Sequence, residues 1–149
     1  MTEQVLISIK GLQFISTDEE VEPIELITVG NYYHRNGHTF IKFEESFEGI
    51  EGSAQNMIKI TPNVLEVWKK GAVDVHMVFE REKKNISYYT TPYGTMQMGI
   101  AATSLEIQED HDHIDVHVDY ALEINEEYLA DCTLVVNVKS KEAKDFALS

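Results

Sequence analysis

The chain has 149 residues, of which 43% are hydrophobic and 26% charged, the balance of one globular domain with its own core. Twelve basic against twenty-six acidic residues give a formal charge of -14. That charge disfavours phosphate backbones and anionic lipid surfaces as partners, and leaves basic proteins, small molecules or divalent cations.

The hydrophobic period is two almost throughout, which predicts strands. Val5, Ile7 and Ile9 alternate with Leu6, Ser8 and Lys10; the phase breaks at Lys10-Gly11, where Leu12 and Phe14 take over, as at a β-bulge. The opening MTEQVLISIKGLQF lacks the parts of a signal peptide, and no apolar run is long enough to span a membrane, so a cytoplasmic location is expected. STDEEVEP reads as a loop and IELITVGNYYHR as a strand. Asn36-Gly37 then gives a two-residue hairpin signal before HTFIKFEESF. MIKIT and VLEVWKK meet at Pro62-Asn63, and VDVHMVFER leads to a turn at KKN, residues 83–85. ISYYTT runs into the turn Pro92-Tyr93-Gly94. Three long strands follow, near Thr95–Gln108, His113–Ile124 and Tyr128–Lys139, and a polar tail, 140–149, is flexible or carries one helical turn. No ordinary amphipathic helix, repeat or linker interrupts this order.

About eight to ten antiparallel strands joined by tight turns must close on themselves or leave edges exposed. The expected fold is therefore a single all-β domain over 1–149, an up-and-down barrel, with a β-sandwich as the alternative. The segments NYYHRNGHTFIKFEES, VWKKGAVDVHMVF, SYYTTPYGTMQMGIAATSLEI and VDYALEI, in this order, resemble the YwiB-like family of uncharacterised bacterial proteins. The most specific pieces are Tyr89-Thr90-Thr91-Pro92-Tyr93-Gly94 and Phe43-Glu44-Glu45-Ser46. Lys69 stands two residues before Gly71, where the family usually has arginine. The resemblance implies a calycin-like (lipocalin-type) β-barrel and no activity.

Strand parity then selects the polar residues that face inward. Thr39, Ile41, Phe43 and Glu45 share one face, and Leu65, Val67 and Lys69 share another. A carboxylate and an ammonium facing one small interior should pair, because unpaired buried charge is costly. Asn56, Tyr89, Thr91, Thr103 and Tyr120 are the other inward polar candidates, and with Glu45 and Lys69 they form the candidate ligand site. Two readings of that interior stand: a pocket for a small apolar or amphipathic ligand, or a filled structural core whose polar groups satisfy one another.

No nucleophile elbow, phosphate loop, dinucleotide fingerprint or zinc-protease motif is present. Glu45 is the best-placed acid or base, Cys132 sits in an apolar strand, and neither an enzyme nor a cofactor is expected. EDHDHIDVHVDY, residues 109–120, has the density of a metal site, but Ile114, Val116, Val118 and Tyr120 form its apolar face. His113, Asp115, His117 and Asp119 therefore face outward. Pairing of Gln108 with His113, Glu106 with Asp115 and Ser104 with His117 would cluster His113, Asp115 and His117 with Glu106, an outer-face metal site of secondary rank. The same register puts Met96, Met98, Ile100 and Ala102 outside, as for a homodimer or other partner surface, unless a bulge near Gly99 turns them in.

Overall fold

A computed structural model describes residues 3–11, 25–46 and 51–140. They form ten strands: β1 (Gln4–Lys10), β2 (Glu25–Arg35), β3 (His38–Ser46), β4 (Ser53–Thr61), β5 (Val64–Gly71), β6 (Val75–Glu80), β7 (Lys84–Thr91), β8 (Gly94–Glu109), β9 (His113–Ile124) and β10 (Glu127–Ser140). The expected phase change onto Leu12 and Phe14, the loop STDEEVEP and the tail from 141 onward lie outside the described residues.

All strands belong to one antiparallel sheet ordered β6-β5-β4-β3-β2-β1-β10-β9-β8-β7. The first and last strands pair inside the sheet, Val5 opposite Ser140 through Lys10 opposite Val135. The two edge strands, β6 and β7, meet at a seam. There Asp74 and Thr90 exchange backbone hydrogen bonds of 2.9 and 2.8 Å. Further along, the Glu82 N–H donates to Ala102 O at 2.9 Å and the Asn85 side chain to Val78 O at 3.4 Å. The barrel is therefore nearly closed.

Period-two burial builds the interior. Val5, Ile7 and Ile9 of β1 meet Val136 and Val138 of β10, and Ile41, Ile58, Leu65 and Val67 continue the same lining. Phe79 and Tyr120 meet edge-on, 5.0 Å between centroids, and fill the interior where β6 approaches β9. Removing such side chains from water is the main stabilising term. Gly30 is buried among them: a Cβ there would stand 2.5 Å from Ile7 Cδ1 and from Lys42 O.

Three expectations are corrected. The turn after β6 lies at Arg81-Glu82, not at 83–85, with Glu82 at φ 61° and the Lys83 N–H on Glu80 O. The β8–β9 register is two residues from that expected, with Gln108 opposite Asp115, Glu106 opposite His117 and Ser104 opposite Asp119. Asp110 causes this shift, since its carboxylate accepts the Asp112 and His113 N–H groups at 2.8 Å and tightens the turn. The third correction is a bulge between Ala102 and Ser104, rather than near Gly99. It leaves Thr103 unpaired and changes the facing of the first half of β8. Met98, Ile100 and Ala102 are therefore core residues and Met96 is half-buried, which removes the expected apolar outer patch. Thr103, expected inside, is exposed and donates to Asp119 O at 3.2 Å.

Candidate functional site

Two cross-strand rows at one end of the barrel build the polar site. Phe43, Asn56, Lys69 and Val75 lie opposite one another across β3, β4, β5 and β6. Beside them runs a row of small residues, Glu45 opposite Ala54 and Ala54 opposite Gly71. The small side chains leave the space above β4 to the longer polar ones. Gly71 is held at φ 128°, and a Cβ there would stand 2.5 Å from Ser53 O, so this corner needs glycine.

Asn56 and Lys69 are direct neighbours, and Lys69 reaches over β4 to Glu45. Its Nζ lies 2.5 Å from Glu45 Oε1 and donates to Asn56 Oδ1 at 3.0 Å. The Asn56 amide in turn donates to Glu45 Oε1 and to Ala54 O, each at 3.4 Å. Glu45, Asn56 and Lys69 are 4%, 2% and 5% exposed, so this is a charged network inside the wall rather than a surface ion pair. Tyr89, half-buried on β7, joins the same region. Burial raises its phenol pKa, and the Glu45 carboxylate raises it further.

The other candidates separate. Thr91 donates to Gly94 O at 3.2 Å and accepts the Tyr93 N–H at 3.1 Å, so it shapes the Pro92-Tyr93 turn. Tyr120 contacts Phe79, which is four residues, about 13 Å of strand, from Val75 opposite Lys69. Its hydroxyl donates to Gly11 O at 3.3 Å, and burial, with Cys132 beside it, pushes its pKa well up. Burial likewise raises the Cys132 thiol, which suits a packing residue more than a nucleophile. Thr103 is outside the wall, as described. Glu45, Asn56, Lys69 and Tyr89 thus come together, while Thr91, Thr103 and Tyr120 serve turn, bulge and core.

On the outer face, His117 Nε2 is 3.5 Å from Asp119 Oδ1, and His113 Nδ1 is 3.5 Å from Asp110 Oδ1. Hydrogen bonds from Thr133 and Ser104 hold the Asp119 carboxyl below its usual range. Backbone N–H groups do the same for Asp110. Among the described residues, no group of three His, Cys, Asp or Glu side chains is placed to hold a metal ion.

One feature was missed by sequence reasoning. An open groove of about 360 Å³ lies on the outside of β5, β6 and the end of β7. Trp68, His76 and Tyr88 line it, with Lys70, Asp74 and Lys69 itself. Trp68 and His76 alternate outward beside inward Lys69 and Val75, so parity places each on the outer face. That they meet Tyr88 depends on where the barrel closes, which parity does not give.

A family model described as a domain of unknown function, DUF1934, matches residues 7–136. The chain is 20% identical over 127 residues to the uncharacterized β-barrel protein YwiB of Bacillus subtilis, covering 85% of this chain and 88% of that one. The crystal structure of the ywiB protein from Bacillus subtilis superposes with a TM-score of 0.77 at 17% identity, over 93% of this chain and 92% of the other. At this identity the superposition speaks for the shared barrel alone.

Proposed function

The chain belongs to the DUF1934 family, described as a domain of unknown function, and on the geometry of its polar site we propose that the barrel binds a small amphipathic molecule. The polar group of that molecule meets the Glu45–Asn56–Lys69 cluster and its apolar part meets the barrel wall. The observation that carries this reading is the charged and polar cluster buried within the barrel wall, on a strand whose Trp68–Lys70 end also borders a groove open to solvent. About 360 Å³ falls within the size range of small-molecule sites, roughly 300–1,000 Å³. The mutual satisfaction of the three polar groups favours a second reading, a structural barrel with a filled interior.

Thermal unfolding in the presence of decanoate, decanol and decylamine separates the two. Ligand binding predicts a rise in midpoint with at least one of these amphiphiles, and loss of that rise in Glu45→Gln. Unchanged midpoints with all three, or a rise that persists in Glu45→Gln, overturn the proposal in favour of the structural barrel.

A further inference from the structure

The outer groove has a chemistry distinct from that of the interior cluster. On one wall the Trp68 and His76 rings stack, 4.3 Å between centroids and 8° between planes. Across the β6–β7 seam, β7 contributes Tyr88, which is 61% exposed. Aromatic rings on both sides of the groove suit a flat guest, which gains from stacking beyond the area it buries.

The charges define the guest further. In a chain of twelve basic and twenty-six acidic residues, the groove wall brings two lysines, Lys69 and Lys70, beside Asp74. The Asp74 carboxylate accepts the Gly71 N–H at 3.4 Å, His76 Nε2 lies 3.1 Å from Glu66 Oε1, and Lys69 bonds to Glu45. Lys70 is exposed at the groove and is the cation placed to receive a guest. The charge of the remaining surface is screened over about 8 Å in physiological salt, so a guest in the groove responds mainly to the charges that line it. A cationic guest would also be drawn to the ring faces, but would meet the Lys70 ammonium.

We infer that this groove binds a planar aromatic carboxylate, its ring between the Trp68–His76 pair and Tyr88 and its carboxylate on Lys70. The inference rests on the groove being a ligand site and names its ligand class. It does not require the guest to reach Glu45.

Trp68 is the sole tryptophan, so the protein has one indole N–H resonance, and that resonance lies in the groove. Titration of the 15N-labelled protein with 2-naphthoate should shift this peak saturably. The same ring with a methylammonium group, and cyclohexanecarboxylate with the charge but no aromatic ring, should bind at least about tenfold more weakly. Lys70→Gln and Tyr88→Leu, both at exposed positions, should each weaken 2-naphthoate about tenfold while the remaining spectrum is preserved. No saturable shift, equal or tighter binding of the naphthylmethylammonium ion, or unchanged affinity in Lys70→Gln overturns the inference. If 2-naphthoate fails while an aliphatic amphiphile still raises the unfolding midpoint, the aromatic-carboxylate assignment falls alone. If both fail, the binding reading falls with it.

Discussion

Lys69 and Glu45 illustrate how a single residue's placement carries a large energetic consequence. Each ion loses most of its hydration on burial, and the partner with Asn56 replaces what water supplied. Lys69→Met leaves the Glu45 carboxylate without its cation and should lower stability by about 3–5 kcal/mol in urea unfolding. The double variant Lys69→Met/Glu45→Leu removes both charges and should recover most of that loss. If the double variant is as unstable as the single, the pair contributes through packing rather than charge. This site was legible in the sequence because Glu45 shares its face with Ile41 and Phe43, and Lys69 with Leu65 and Val67. Once those apolar residues turn inward, the charged ones follow. Thr91 and Tyr120 obey the same parity and still serve other ends, since parity gives the face of a residue but not its height in the barrel.

At the scale of strands and turns, the two-residue hairpins differ in chemistry while sharing a geometry. Asn36-Gly37 has φ of 53° and 78°, and Asn125-Glu126 has φ of 49° and 72°. The left-handed region suits Gly37 but strains Glu126, at a cost of about 1–2 kcal/mol. Glycine loses more chain entropy on folding, about 0.5–1 kcal/mol, so Glu126→Gly should stabilise the protein by about 0.5–1 kcal/mol net. An upward shift of the urea midpoint at constant slope checks this, and an unchanged or lower midpoint contradicts it. Such turns made most strand boundaries readable. The bulge in β8 left a weaker trace, the change of apolar phase from Met98, Ile100 and Ala102 to Leu105 and Ile107. Read as one unbroken strand, that phase change sends the first set outward. In the fold, Thr103 absorbs it and both sets face the core. Beyond the bulge, the two-residue error in the β8–β9 register kept Ser104, Glu106 and Gln108 on their expected outer face, because the displacement was even. It did change the neighbours on the outer face, where Glu106 meets His117 and not Asp115.

For the whole molecule, one buried and one half-buried phenol make stability fall at high pH. The pKa values of Tyr89 and Tyr120 are both raised in the folded state. Above about pH 10 the unfolded chain releases these protons while the folded one retains them. Their contribution to stability is therefore complete below pH 10 and falls as pH rises through the alkaline range. Chemical unfolding between pH 9 and 11 should show a decline that is shallower in Tyr120→Phe; equal slopes would remove Tyr120 as a cause. Barrel closure was also legible at this scale from the number of strands, whereas the position of the seam was not, because it depends on which edges meet last. The pairing of β1 with β10 has a consequence in time. Among the described residues, every other ladder joins strands consecutive in the chain, and this one joins Val5 to Ser140. During synthesis, β1 can pair with β2 early, but its second edge waits until residues 135–140 have left the ribosome. The barrel should thus fold as a late, slow ring closure, with the first strand as the partner of the last.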